Sequence, residues 1–198
     1  MSSLTTTDRL KELLPQLFNE QKLAGNYYLR FQLTNKISGL IDLKYVLESL
    51  TIPGDRLTAV PNLPEYVIGL MGSRNEVFLA IDLAHLAGMT PETVNLRQYQ
   101  IMVVKIDSAK DGKHLNTNPD DRINLYGLAV KKIEGIERIL PENFVSVSQD
   151  VPEHLRPYIK SAVAQNSEND SPIVEEQYSF LIDLEPLISN RVAEQTAA

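Results

Sequence analysis

Residues 57–83 read LTAVPNLPEYVIGLMGSRNEVFLAIDL, and the punctuation of this stretch decides the fold class. An apolar run at 57–60 meets Pro61 and Pro64, whose locked φ and missing N–H interrupt regular structure. A tight turn follows at Gly72, Ser73, Arg74 and Asn75, since glycine and asparagine tolerate positive φ better than other residues. A second apolar run, 76–83, then ends in Ile81, Asp82 and Leu83. A strand that stops on an acid sets its carboxylate where the free N–H groups of a following short helix can donate to it, so Asp82 reads as a cap.

Working outward, the same ending occurs twice more. IDLAHL at 81–86 is echoed by IDLEPL at 182–187 and by IDLKYV at 41–46. Asp42 and Asp183 therefore read as further caps, and the spacing predicts two similar small barrels, each closed by a strand-to-helix corner. Around them the apolar period is mostly two. Tyr27, Leu29, Phe31 and Leu33 alternate with Tyr28, Arg30, Gln32 and Thr34, as in a half-buried strand. Further strands are expected at 38–42, 57–60, 76–83, 100–106, 123–131 and 178–184. The polar segments 107–122 and 165–172 read as loops outside the core. Near the N-terminus, Leu10, Leu13, Leu14, Leu17 and Phe18 form one apolar helical stripe, capped by Thr7 or Asp8 and kinked or split at Pro15. The expected division is a helical extension at 1–25, a double-barrel domain at 26–190 and a flexible tail at 191–198.

Composition narrows the function. A chain of 198 residues that is 43% hydrophobic suffices for one globular domain or two closely packed subdomains. A formal charge of -7 argues against charge-driven binding of nucleic acid or anionic lipid. The absence of cysteine excludes disulfides, thiolate metal sites and cysteine nucleophiles within this chain. No apolar run approaches the ~20 residues of a membrane span, and residues 1–7 lack the pattern of a secretion signal. The expectation is a cytoplasmic protein with no direct membrane insertion, brought to a membrane only through a partner.

The usual catalytic patterns are missing. His85, His114 and His154 are scattered, without the paired spacing of a metal site. His85 near Asp82 can be read as a base with its orienting carboxylate, or as a helix cap plus a first-turn residue. Asp111, Gly112 and Lys113 lack the regular oxygens and closing glutamate of a calcium loop. GLMGSR at 69–74 lacks dinucleotide-loop spacing, and neither a phosphate loop nor a GxSxG elbow occurs. No cofactor and no enzymatic activity are expected. The rival reading is a small β-barrel enzyme or small-molecule sensor with a pocket near His85, Asp82 and Arg74.

The order Val60, Pro61, Pro64, Tyr66, Val67, Gly69, Arg74, Val77, Ile81, Asp82, Leu83 closely resembles the CheW family of chemotaxis coupling proteins. That family runs from a strand through a proline-flanked turn, a short helical turn with an aromatic and a glycine, and an arginine-bearing tight turn, into a strand ending in Asp-Leu. YLRFQL at 28–33 resembles its first strand. Val46 and Glu48 match its Val-x-Glu signature on the next helical turn, and LYGLAV at 125–130 resembles the strand opening its second half. The resemblance covers residues 27–187. It departs at the turn, where the family usually has Asn-Leu-Arg-Gly or Asn-Trp-Arg-Gly and this chain has Gly72, Ser73, Arg74 and Asn75. The resemblance implies a mainly β fold of two packed five-stranded SH3-like barrels with short corner helices. It also implies a non-enzymatic adaptor, free of metal and cofactor, that binds the regulatory domain of a CheA-type histidine kinase and the cytoplasmic tip of methyl-accepting chemoreceptors. The system served would be chemotaxis, phototaxis or pilus motility. Val46, Glu48, Gly72, Ser73, Arg74 and Asn75 are the docking residues it implies.

Overall fold

The alternating apolar residues of 27–33 bury both faces of one strand, β1 (Asn26–Gln32). Leu29 and Phe31 join one hydrophobic cluster, while Tyr28 joins another. The computed structural model describes residues 25–91, 96–107, 123–147, 151–164 and 178–196. The expected N-terminal helix and almost all of the two expected loops, 108–122 and 165–172, lie outside these residues.

Along the chain, β1 is followed by β2 (Ser38–Asp42), β3 (Val46–Pro53), β4 (Val67–Ser73) and β5 (Glu76–Asp82). A one-turn helix α1 (Leu83–Leu86) leads on to β6 (Gln98–Asp107), β7 (Ile123–Val130) and β8 (Lys132–Ile139). The chain continues through β9 (Phe144–Val145), β10 (Ile159–Ala164) and β11 (Tyr178–Ile182) to helix α2 (Leu184–Thr196). These strands form two mixed sheets, ordered β3-β6-β7-β5-β4 and β8-β1-β2-β11-β10-β9. Helix α2 continues past Arg191, where the sequence reading begins a tail.

The two sheets exchange strands. β1 and β2 form an antiparallel hairpin, yet β3, which comes next in the chain, pairs with β6 in the other sheet. Reciprocally, β6 and β7 pair antiparallel, and the following β8 crosses back to pair with β1. β7 therefore lies in the middle of the five-stranded sheet and does not open a second half. Each sheet also holds one parallel pair, β5 with β7 and β11 with β2, so β5 and β11, which lead into Asp82 and Asp183, occupy equivalent places, while β2, which ends on Asp42, takes the place of β7. At both corners the aspartate N–H donates to a tyrosine carbonyl: Asp82 to Tyr66 at 2.8 Å and Asp183 to Tyr158 at 2.7 Å.

Three local readings need correction. Residues 57–60 are not a strand; Thr58 alone forms an isolated bridge to Leu70, with N–H···O distances of 2.9 and 2.8 Å. The expected helical turn around Tyr66 to Gly69 is largely the start of β4. There Gly69, at φ +152°, sits at a bulge where a Cβ would come within 2.8 Å of the Thr58 carbonyl oxygen, so the close approach requires glycine. Val46 and Glu48 likewise lie on β3, after the 3-10 turn Leu43–Tyr45. β3, β4, β8, β9 and β10 are strands beyond those the sequence reading expects. In β8 (KIEGIERI) a bulge at Glu134 puts Ile133 and Ile136 on one face, opposite Phe31 and Leu29, and leaves Ile139 on the other. The short β9 pairs Val145 with Ala162 of β10, which is the counterpart of the Thr58–Leu70 bridge and explains why one sheet has a sixth strand.

Alternation gives every central strand two covered faces. Met71, Phe78, Ile101 and Val103 fill the inside of the β3–β7 barrel. Tyr28, Leu40, Ile139 and Val163 form a smaller cluster inside the other barrel. The opposite faces, with Phe31, Ile41, Ile81, Met102 and Leu128, join α1 and α2 residues such as Leu86 and Leu187 in the large core between the barrels.

Candidate functional site

The β4–β5 hairpin is closed by a two-residue turn, because Ser73 pairs directly with Glu76. Arg74 and Asn75 occupy it with φ of +50° and +65°, the two positive values of a type I′ turn. Asparagine adopts this region readily, whereas an arginine there is uncommon. Across the barrel opening stands Glu48 on β3, beside a bulge at Leu47. One carboxylate oxygen of Glu48 accepts from the Ser73 hydroxyl. The other accepts from Arg74 Nε at 3.1 Å.

Glu48 thus ties the two edge strands of the five-stranded sheet together and holds the root of the arginine. Ser73, the departure from the usual turn, is accounted for by this contact, because an apolar side chain there cannot donate to the carboxylate. The Arg74 side chain remains 64% exposed while that of Glu48 is 17% exposed. The guanidinium is therefore positioned at its inner edge and open to solvent at its outer edge. A planar fork held this way suits bidentate bonding to a carboxylate or to backbone carbonyls.

The six sequence-derived docking residues divide into two sets. Glu48, Ser73 and Arg74 are in contact, and Gly72 and Asn75 belong to the same hairpin. Val46 is half-buried and packs against the inter-barrel core. Val77, which the sequence places in the family motif but not among the docking residues, is 72% exposed and lies directly opposite Gly72 in the ladder. The signal was available, since a valine cross-strand from a glycine two residues before the turn has no side chain to cover it.

The corners are structural. Asp82 is 1% exposed and accepts from the His85 N–H at 2.9 Å, while Asp42 accepts from the Lys44 N–H at 3.0 Å. The third aspartate behaves differently: the Asp183 carboxylate pairs with Lys160 Nζ at 2.8 Å. The hydrogen bond from the Lys44 ammonium to Asp42 raises the lysine's pKa. Burial, followed by its bond to Glu185, raises that of Tyr45. The 3.1 Å bond from the Tyr45 hydroxyl to Glu185 fastens the β2–β3 corner to α2.

The rival catalytic constellation is not assembled. Arg74 and Asp82 lie at opposite ends of β5, roughly 20 Å apart at about 3.3 Å per residue. His85 Nε2 approaches Glu65 at 3.9 Å. Among the described residues no group of three or more His, Cys, Asp or Glu is arranged to hold a metal ion. Nor is any described helix long and apolar enough to cross a membrane.

A family model described as the CheW-like domain matches residues 28–192. Among solved structures, the scaffolding protein TtCheW from Thermoanaerobacter tengcongensis is similar, with a TM-score of 0.57 and 16% identity over 82% of this chain and 92% of that one. At that identity the likeness is one of fold, and it agrees with the mainly β architecture of two SH3-like barrels. No curated protein matches the chain.

Proposed function

The chain belongs to the CheW family, and from that premise we propose that it is a non-enzymatic adaptor coupling a chemoreceptor-like sensor to a CheA-type histidine kinase. The observation that carries this reading is the Glu48–Ser73–Arg74 clamp. It spends a mostly buried carboxylate on orienting one exposed arginine. A cationic fork held in place and open to solvent is suited to anchoring a protein partner.

On this reading the hairpin face receives the receptor's cytoplasmic tip. The double barrel meets the kinase's regulatory domain, and the protein reaches the membrane only through the receptor. Co-precipitation tests the kinase half: the isolated regulatory domain should retain the chain and the phosphotransfer domain should not. The reverse pattern would sink the adaptor reading. For the receptor half, Arg74→Ala should weaken binding of a receptor-tip fragment by about tenfold or more, the usual cost of a central arginine anchor. Arg74→Glu should weaken it further through like-charge repulsion. Unchanged affinity in both variants would return Arg74 to an ordinary solvated turn residue.

A further inference from the structure

β8 runs against β1 as β3 runs against β6, each with one unpaired bulge residue, Glu134 in β8 and Leu47 in β3. Counted from these bulges, Ile136 corresponds to Ser49, and Tyr27, opposite Arg138, corresponds to Gln100, opposite Thr51. The β3–β6 wall is polar at these places, with Ser49 and Thr51 exposed and Gln100 accepting from the Ile133 N–H at 2.6 Å. The β8–β1 wall instead presents Ile136, 61% exposed, and Tyr27, 53% exposed. These two are diagonal neighbours in the ladder, close enough for an aromatic side chain to reach across. They share their face with Leu29 and Phe31, which are buried in the core between the barrels, so the patch is an open margin of that core. The fold does not require apolar side chains here, since the other barrel does without them. β8 is also the last strand of its sheet, and an apolar edge invites pairing with another chain unless something covers it.

The two walls also differ in how the chain reaches them. β6 is entered from α1 through residues 87–97. β1 is entered from residues 1–24, where Leu10, Leu13, Leu14, Leu17 and Phe18 fall on one helical stripe. A helix of that length is marginal alone in water and is stabilised by packing such a stripe against a body. Gly25 brings the segment in against the end of β8: its φ is +106°, and a Cβ there would come within 2.8 Å of the Ile139 carbonyl oxygen. From that point residues 19–24 can span up to about 20 Å. Ile136 stands only about 10 Å along β8 from Ile139, so the stripe can reach the patch.

We propose that residues 8–18 form a helix, kinked at Pro15, that folds back on the β1–β8 face and lays Leu13, Leu14 and Leu17 over Ile136 and Tyr27. The tether favours this occupant over a free partner, because a segment joined by a short linker is present at an effective concentration of about millimolar. Docked there, the helix closes the apolar margin of the core and shields β8, and any outside partner for this face must displace it. The proposal is independent of the adaptor reading, because neither Ile136 nor Tyr27 belongs to the Arg74 hairpin.

The test is made on the full chain, whose lack of cysteine allows a single engineered disulfide. Leu13→Cys, Leu14→Cys and Leu17→Cys are each combined with Ile136→Cys, and in a control set with Ser49→Cys, the equivalent place on the other barrel. On mild oxidation at least one Ile136→Cys pair should cross-link within a single chain, and no Ser49→Cys pair should. Thermal melts give a second readout. Ile136→Ser should lower the melting temperature by about 2 to 4 °C, and Leu13→Asp with Leu17→Asp should lower it by at least as much. All three changes together should lower it no further than the two aspartates alone, because Ile136 has then already lost its cover. The proposal is overturned if no Ile136→Cys pair cross-links, if the Ser49→Cys pairs cross-link equally well, or if the melting shifts simply add. A cross-link that joins two chains would also overturn it, by making a second copy the occupant.

Discussion

Leu50 and Val103 line one barrel where Glu137 and Arg30 line the other, and Phe78 stands opposite Met71 where its counterpart Ser179 stands opposite Val163. The strand order, the parallel pair and the aspartate-to-tyrosine corner bond repeat in both. A barrel wall thus tolerates two kinds of interior, because its ladder is made by backbone groups while the lumen is set by alternate side chains. The apolar barrel carries the rigid clamp at its rim. Both barrels share the large core between them, which reduces what either lumen must contribute to stability.

The sharpest way to break this comparison is to empty the filled lumen. Phe78→Ala should cost about 3 to 5 kcal/mol, read as a lower denaturation midpoint with an unchanged slope. A loss under ~1 kcal/mol would mean that this interior is not close-packed. Next, Glu137→Leu alone strands the Arg30 guanidinium that pairs with it and should cost about 1 to 3 kcal/mol, less than a fully buried pair would because Glu137 is partly exposed. Arg30→Val combined with Glu137→Leu converts the site to the apolar type and should recover to within about 1 kcal/mol of the parent. Failure of the double variant to recover would show that the two lumens are not interchangeable.

The corners give a smaller effect. Asp82→Ala removes a buried cap and should cost about 1 to 2 kcal/mol, whereas Asp42→Ala removes a more exposed one and should cost about 0.5 to 1 kcal/mol. Equal losses in parallel melts would contradict the difference in burial. Smallest of all, Arg74→Ala should shift stability by no more than about 0.5 kcal/mol, since arginine and alanine both occupy the turn's positive-φ position at a penalty. A collapsed melt would show that the clamp holds the barrel shut more than it presents the arginine.

Much of this organisation was legible in the chain because it is local. Asp82 and Asp42 cap over two or three residues, and Asn75 signals a turn at its own φ. The alternation of 27–33 needs only its own strand. β8 and β10 were passed over because bulges at Glu134 and Lys160 shift the alternation in mid-strand. The turn at Tyr66 to Gly69 was misread because a glycine there signals close backbone approach as well as a helical turn.

By itself, then, the sequence determined the mainly β class, the repeated strand-to-acid corner, the tight turn bearing Arg74 and its family. Only the tertiary structure decided that β3 and β8 trade barrels and that Glu48 grips Ser73 and Arg74 from 25 and 26 residues away. It also decided that Arg30 meets Glu137 inside a lumen. The physical reason is range. Caps, turns and alternation are written in neighbouring residues, whereas these side-chain pairs form only once strands distant in the chain have been brought side by side, and a charged residue carries no mark of which partner will face it.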